Sequence, residues 1–407
     1  MLVLILLALS VFINYIDRGN LSIAAPLLKE ELRISDSQLG LLLSAFFWTY
    51  AMFQIVSGWL VDRFNVNWVI AVGFFLWSTA TAATGLIQGF AALLILRLIL
   101  GIGESVAYPS YSKILARHFP EYHRGLANAL IDAGSKCGPA IGTLVGGVLM
   151  AQYGWRPFFI ALGVGSLLWL VPWLRWMPRG HGNVPHGAGK APGIGQILRQ
   201  RSAWGSFGGL FCTNYYWYVL LTWLPSYLVR EQHFSMEKMA MVGASAYFAI
   251  GVTTTVCGML SDHWIRRGGD VTRVRKGFAG VGLTLSTVII GVPIASNETV
   301  AMTFLILSCV SFGIYTCSLW TMTQTIAGPM AAGKWTGLQN FVGNLAGVVA
   351  PWLTGVVLEK TGEFFWAFAL AAAMELMAAV MFVFVIGKVE EVIWTDQPPA
   401  ATSVRIL

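Results

Sequence analysis

The 407-residue sequence contains few charged residues: Asp, Glu, Lys and Arg make up 11% of it, against about 25% in an ordinary soluble domain. Hydrophobic residues make up 56%, and the mean hydropathy is +0.68. A chain of this composition cannot cover a water-facing surface with polar groups. The composition therefore excludes a cytosolic enzyme, a disordered protein and a collagen-like chain.

The sequence also lacks the short motifs that carry most enzyme and metal chemistry. It has no HExxH, no GxSxG followed by suitable partners and no Gly-rich phosphate loop, so we predict that it is not an enzyme. It has no CxxC pair either, and its cysteines lie inside apolar runs, which predicts small core residues without a disulfide or a metal site. We expect no cofactor.

Long apolar runs dominate the sequence. A bilayer core of about 30 Å needs roughly 20 apolar residues per helix, and twelve segments meet that need. The first is not a cleavable signal peptide, because it lacks a basic start and carries Asp17 and Arg18 at its far end. The predicted spans are 2–24, 38–61, 67–89, 91–113, 125–150, 155–176, 204–229, 238–262, 277–296, 299–328, 334–358 and 363–387.

One long polar stretch, 177–203, is rich in Pro, Gly and basic residues and divides these segments six and six. We therefore predict an all-α membrane protein with an N-terminal six-helix half (1–176), a cytoplasmic linker (177–203), a C-terminal half (204–387) and a cytoplasmic tail (388–407). Most of the 26 Lys and Arg fall on the side that carries both termini and the linker. This bias predicts cytoplasmic termini in an inner (plasma) membrane, and it explains the net charge of +7 without nucleic acid.

The two halves repeat a GxLxD pattern after the second and the eighth predicted helix. The first copy ends at Asp62-Arg63 and the second at Asp262. We expect these carboxylates to accept hydrogen bonds from an Arg or a neighbouring helix end, and so to latch one conformation. The simpler alternative is loop polarity.

Ionisable residues within predicted membrane helices are costly and indicate a site or pathway. Asp17 and Arg18 share a face of the first helix, and Arg97 and Glu104 form a stripe on the fourth, with Gly101 between them. The alternative is that each pair is structural. For Lys136 on the fifth helix, a structural pair with Asp132 is the favoured interpretation.

Four stretches of the sequence resemble one known family. They are NYIDRGNLS at 14–22, RLILGIGESVAYP at 97–109, FPEYHRGLA at 119–127 and LTWLPSYL at 221–228. Together they resemble the anion:cation symporters of the major facilitator superfamily, which include bacterial galactonate and hexuronate proton symporters and vesicular glutamate and sialic-acid transporters. The resemblance implies twelve helices in two six-helix halves, a monomer, a lipid bilayer as surroundings and a small organic anion as substrate.

By the same resemblance, Asp17 and Glu104 match the proton sites, with Arg97 supporting Glu104. The residues that match the sugar-acid contacts of the family are Tyr15, Arg18, Tyr50, Trp320 and Asn340. The chain differs from the family at Lys136, which adds a positive charge inside the membrane. We expect this charge to change either the substrate that binds or the coupling to protons.

The chemistry of the residues is consistent with these roles. The planar guanidinium of Arg18 can meet a carboxylate with two hydrogen bonds. Hydroxyls of a sugar acid need partners such as Tyr50, Gln54 and Asn340. Aromatic rings can stack on the carbon backbone of a sugar acid, although helix packing explains these rings equally well. We expect Asn344 either to contact the substrate or to form a hydrogen bond between helices. The candidate rings are those of Trp320, Tyr215 and Tyr216.

The sequence thus predicts a proton-coupled symporter that imports a sugar acid, an aldonate or a hexuronate, by alternating access. The alternative is a drug/proton antiporter of the same fold, because Gly134, Gly138-Pro139 and Gly142 resemble the GxxxGPxxG motif of that class. Buried cations oppose a cationic drug.

Overall fold

The computed structural model describes residues 2–118, 121–177 and 192–394. The side chains at 62, 116–118, 121–130, 132, 133, 136, 329 and 330 lie outside the described part. Regular structure within the described ranges is helical, with no strand. The helices, numbered along the chain, are α1 (Leu2–Leu32), α2 (Asp36–Arg63), α3 (Val66–Thr84), α4 (Phe90–Ser105, continued by Ala107–His118), α5 (Glu121–Tyr153), α6 (Trp155–Leu167, continued by Leu170–Trp176), α7 (Arg201–Arg230), α8 (Met236–Arg266), α9 (Val271–Ser286, continued by a 3-10 turn at Thr287–Gly291), α10 (Glu298–Gly328), α11 (Ala331–Thr361) and α12 (Phe365–Val380, continued by a π turn at Met381–Val385).

Each of the twelve predicted apolar segments coincides with one of these helices, which confirms the all-α membrane fold. Ten of them are long and apolar enough to cross a bilayer by length and composition, and the other two, α5 and α7, contain 33 and 30 residues. Several predicted ends were wrong by five or more residues, including both ends of α9, which was predicted at 277–296 and covers 271–291. Helix α1 continues through Pro26 to Leu32, and α3 ends at Thr84, five residues before the predicted end of its apolar run.

Local signals explain several helix ends. Ser35 accepts a hydrogen bond from the Gln38 backbone N–H at 3.2 Å and so caps α2. Helices α10 and α11 are separated only at Gly328, whose φ of 62° lies in the left-handed region that favours glycine. These ends set the positions of the helices that form the site.

The two sets of helices, α1–α6 and α7–α12, pack tightly together at one end of the bundle. We call this the far end; it carries the α1–α2 and α7–α8 loops, opposite the linker end where α6 stops and α7 begins. At the far end a Cβ on Gly40 of α2 would lie 2.6 Å from the carbonyl oxygen of Pro351 of α11, so only glycine allows this approach. Towards the linker end the side chains of α2 become exposed, with Met52 at 70% and Ile55 at 72%. The two halves are therefore in close contact at the far end, and apolar side chains of α2 are exposed nearer the linker end.

Candidate functional site

The centre of the site is a buried ion pair between α1 and α4. Arg18 donates from Nε to Oε2 of Glu104 at 2.9 Å, and the two side chains are 5% and 0% exposed. The pair is incompletely satisfied: Nη2 of Arg18 and Oε1 of Glu104 have no hydrogen-bond partner among the described residues. A buried charge with free hydrogen-bonding capacity is costly, and such groups are typical of binding sites.

Aromatic rings surround the guanidinium of Arg18. Its Cζ lies 4.8 Å from the ring centre of Tyr15, 4.4 Å from that of Tyr50 and 5.3 Å from that of Phe46. Tyr108 of α4 donates a hydrogen bond to the Tyr15 hydroxyl at 3.1 Å. Cation–π contacts strengthen when water is excluded, so these rings hold the guanidinium in place while part of its hydrogen-bonding edge stays free.

A close approach of α2 and α4 positions Phe46 beside the ion pair. A Cβ on Gly101 would lie 2.3 Å from the Phe46 carbonyl oxygen and 2.3 Å from Oγ1 of Thr49. Thr49 in turn donates a hydrogen bond to the Leu98 carbonyl oxygen at 2.7 Å. The expectation that Gly101 allows close packing within the polar stripe of α4 agrees with this geometry.

Two more charged side chains are buried near the pair. Asp17 accepts hydrogen bonds at Oδ1 from Thr81 of α3 at 3.1 Å and from Asn20 at 3.4 Å, while its Oδ2 has no partner among the described residues. Arg97 is 4% exposed, its Cζ lies 5.5 Å from the Phe46 ring centre, and its Nε has no partner in the described part. The sequence grouped Arg97 with Glu104 on one stripe, but the ion pair of Glu104 forms with Arg18.

The C-terminal helices contribute a polar group that meets this region across the two halves. Tyr218 of α7 donates a hydrogen bond to Oδ1 of Asn344 at 2.8 Å, and Nδ2 of Asn344 donates to the Asn340 carbonyl oxygen at 2.8 Å. The Tyr218 ring packs against Phe47 of α2 with ring centres 4.4 Å apart. Sequence reasoning missed Tyr218, although the helical spacing from Tyr215 and the polar stripe of α11 were the available signals.

The other predicted contact residues lie in different surroundings. Tyr216 shares a 2.5 Å hydrogen bond with Ser308, and its ring packs against Phe312 of α10, so its contacts are within the C-terminal helices. Tyr215 is fully buried, whereas Trp320 and Gln54 are partly exposed. The side chain of Lys136 lies outside the described residues.

The second copy of the GxLxD pattern forms the predicted contact with an arginine. Asp262 accepts a hydrogen bond at Oδ1 from Nη2 of Arg275 at 2.5 Å, and Nη1 of Arg275 donates to Ser261 at 2.6 Å. Ser261 and Asp262 lie on α8 and Arg275 lies on α9. Both helices belong to the C-terminal half, so this contact does not join the two halves. In the first copy, Arg63 is exposed and the side chain of Asp62 lies outside the described part.

A buried ion pair inside helices of membrane length indicates a substrate or ion pathway, and comparison with known proteins agrees. The sequence model of the Major Facilitator Superfamily matches residues 7–351, and the chain belongs to this superfamily. It is similar to the probable sulfoacetate transporter of Cupriavidus necator, with 34% identity over 402 residues, 94% of this chain and 93% of that protein.

Two further relatives carry the names of sugar-acid transporters. The hexuronate transporter of Bacillus subtilis is 28% identical over 93% of this chain and 92% of its own length. The probable galactarate/D-glucarate transporter of Escherichia coli K12 is 29% identical over 96% and 95%. These names confirm the prediction of a transporter rather than an enzyme.

Among solved structures, the chain resembles a bacterial homologue of the human lysosomal transporter Spinster, in an inward-facing and occupied conformation. The TM-score is 0.81 at 20% sequence identity, covering 94% of this chain and 96% of that one. At this identity the likeness supports the fold alone.

Proposed function

We propose that this protein is a proton-coupled symporter that imports a small organic anion, with a sugar acid such as an aldonate or a hexuronate as the substrate. Its relatives are named for hexuronate, galactarate/D-glucarate and sulfoacetate, each of which carries at least one acidic group. The four charged side chains buried between α1 and α4 supply the chemistry that a charged substrate needs inside a membrane.

The observation that carries the proposal is the ion pair of Arg18 and Glu104. A substrate carboxylate and the Glu104 carboxylate compete for the same guanidinium, because each is an acceptor for its N–H groups. When Glu104 takes up a proton it loses its charge, and Arg18 becomes the partner of the substrate. Protonation and substrate binding therefore favour one another, which is the coupling that a symporter requires.

A second carboxyl group gives the proton a further place to bind. Asp17 neighbours Arg18 in the chain, is 2% exposed and has one carboxylate oxygen without a partner among the described residues. We assign Asp17 the predicted role of a proton site. Arg97 keeps its predicted role of balancing the charge of these two acids from α4.

The arrangement of the two halves supports alternating access. The ion pair of Asp36 of α2 and Arg230 of α7 joins the two halves at the far end. With the predicted orientation, the far end is outside and the linker end is cytoplasmic. Rocking of the two halves about the site then exposes Arg18 to either side of the membrane in turn.

The polar group of Tyr218, Asn340 and Asn344 belongs to the other half, and its Tyr218 ring packs against Phe47, the neighbour of Phe46 at the ion pair. Hydroxyls of a sugar acid bound to Arg18 would meet these hydroxyl and amide groups. This placement ties the substrate to both halves, so that binding favours the conformation in which they close around it.

The glycines that favour the alternative of drug/proton antiport also have a packing explanation. Gly138 lies against α1, where a Cβ would be 2.7 Å from Cβ of Tyr15, so close helix packing explains this glycine motif. Two buried arginines also disfavour a cationic drug in this site.

A thermal-shift screen on the detergent-purified protein tests the proposal, because a ligand that binds the folded state stabilises it. The panel contains galactonate, glucuronate, galacturonate, sulfoacetate and a lipophilic cation, each at acidic and neutral pH. We expect stabilisation by an acid, larger at acidic pH and lost in Arg18→Ala. The matched control is Arg156→Ala, which removes an arginine that pairs with Glu31 at the far end. Stabilisation by the lipophilic cation alone would contradict the proposal.

A further inference from the structure

A second buried acid lies in the C-terminal half, outside the site described above. Glu375 of α12 is 0% exposed, and its Oε2 accepts a hydrogen bond from Oγ of Ser286 of α9 at 2.7 Å. Among the described residues its Oε1 has no hydrogen-bond partner, and no Lys, Arg or His there forms an ion pair with it. A carboxylate in this position has only one hydrogen bond to balance its charge.

Within the described ranges, the groups that contact Glu375 are polar and carry no positive charge. Ser308 of α10 donates to the Ser286 carbonyl oxygen at 2.6 Å and shares a 2.5 Å hydrogen bond with the Tyr216 hydroxyl. The titratable groups that interact with Glu375 from the packed helices are thiols and phenols: Cys212 and Tyr216 of α7 and Tyr315 of α10. Since an unpaired carboxylate is costly in such surroundings, the group is stable here with a bound proton.

The backbone next to this acid departs from α-helical geometry on both sides. Ser286 is the last α-helical residue of α9, and the 3-10 turn Thr287–Gly291 follows it directly. On α12, the π turn Met381–Val385 begins six residues after Glu375. Both turns lie at the C-terminal ends of their helices, where such geometry is common. Glu375 and Ser286 therefore meet where α9 leaves α-helical geometry.

The hydroxyl that donates to Glu375 has a counterpart in the N-terminal half, although the two acids lie on helices that do not correspond, α12 and α1. There Asp17 accepts a hydrogen bond from Thr81 of α3, and here Glu375 accepts one from Ser286 of α9. Thr81 and Ser286 are each the sixteenth residue of their helix, counted from Val66 and Val271. Each half thus has a hydroxyl at the same helical position that holds a buried acid.

We propose that Glu375 is a proton-binding site of the C-terminal half, loaded and emptied once in each transport cycle. The proton joins the carboxylate when the site is open to one side of the membrane and leaves to water on the other side, with no other bond made or broken. This proposal rests on the proposed function. It adds one proton to those carried by Asp17 and Glu104.

The test is the number of protons moved per substrate molecule in proteoliposomes, obtained from the membrane potential at which net flux stops. Glu375→Gln keeps the shape of the side chain and removes the titration, so the ratio is expected to fall by about one while substrate exchange continues. The matched control, Glu298→Gln, alters an acid that is paired with Lys238 on the surface and leaves the ratio unchanged.

Other outcomes separate the possible failures. An unchanged ratio in Glu375→Gln would overturn the proposal and leave proton-coupled symport intact. Wild-type uptake that ignores the pH gradient would instead overturn the proposed function. If uptake by the wild type requires sodium and uptake by Glu375→Gln does not, then Glu375 binds a sodium ion and not a proton. That result would overturn the proposal.

A second variant keeps the test informative if Glu375→Gln does not assemble. Ser286→Ala retains the acid but removes its hydrogen bond, so the pH at which uptake is half-maximal is expected to shift. Ser311→Ala removes a buried hydroxyl of α10 that bonds only to its own helix and serves as the control. An identical pH profile in Ser286→Ala and wild type would contradict a titrating Glu375.

Discussion

Arg230 of α7 and Asp36 of α2 form a two-point ion pair across the two halves of the molecule. Nη1 of Arg230 lies 2.6 Å from Oδ1 of Asp36, and Nη2 lies 3.2 Å from Oδ2. Lys29 of α1 donates to the same carboxylate at 2.7 Å. Glu359 of α11 accepts hydrogen bonds from Ser35 and the Ser37 backbone N–H beside it. The far end is therefore held closed by charges that join α1, α2, α7 and α11.

We predict that Asp36→Asn weakens this closure. The neutral side chain leaves Arg230 and Lys29 without their acid, so conformations open at the far end become more populated. Spin labels at Glu30 and Glu231, with the native cysteines replaced, report the width of the far end by double electron–electron resonance. A longer distance is expected in the variant than in the parent.

The control for this experiment is Lys238→Gln, which breaks a 2.7 Å ion pair with Glu298 within the C-terminal half. Surface pairs of this kind contribute little, so the distance distribution is expected to stay as in the parent. Equal distributions in all three proteins would mean that Asp36 does not hold the halves together.

We predict that Gly101→Ala destabilises the protein by about 1–3 kcal/mol, because the new Cβ meets the Phe46 carbonyl oxygen and Thr49. Helix α4 would have to move away from α2 and from the ion pair. Thermal unfolding in detergent measures the effect. The control is Gly58→Ala on α2, where the added Cβ would meet no neighbouring atom within 4 Å outside its own helix backbone. This change should be neutral or stabilising.

We predict that Tyr218→Phe weakens substrate binding without loss of fold. The change removes the hydrogen bond to Asn344 but keeps the ring against Phe47. The apparent KM is expected to rise several-fold at unchanged protein level. Tyr227→Phe, which loses a hydrogen bond to the Val292 carbonyl oxygen, should leave the KM unchanged. Equal KM values in both variants would remove Tyr218 from the site.

We predict that Arg18→Lys lowers affinity for the acid by about tenfold. The charge remains, but the planar guanidinium that contacts three aromatic rings and offers several N–H groups in one plane is lost. Isothermal titration gives the Kd. The control is Arg156→Lys at the far end, which is expected to bind the acid with the affinity of the wild type. Wild-type affinity in Arg18→Lys would show that a positive charge alone is sufficient for binding the acid.

The sequence predicted the helices well, because apolar runs of membrane length are visible in one dimension. It also placed Asp17, Arg18, Arg97 and Glu104 inside the membrane. It did not predict which of them pair, since helical spacing compares residues within one helix. The pairing of Arg18 with Glu104 depends on how α1 and α4 pack, and that information comes from contacts far apart in the chain.

Other residues were missed for a related reason. Asp36 follows a short loop and looks like an ordinary helix start until Arg230 is found beside it. Glu375 is a single acid in the last apolar run, and its partner Ser286 is 89 residues away. Tyr218 became significant only through its contacts with Phe47 and Asn344. Each of these roles is set by tertiary packing, which composition and spacing do not contain.

The most direct test of the account measures uptake of the identified acid into proteoliposomes, for the wild type and for Glu104→Gln. The wild type is expected to accumulate the acid against its gradient when the outside is acidic. Glu104→Gln is expected to exchange labelled for unlabelled acid but not to accumulate it, because Arg18 no longer loses its partner on protonation. Full pH-driven accumulation by Glu104→Gln would contradict the central role of this ion pair.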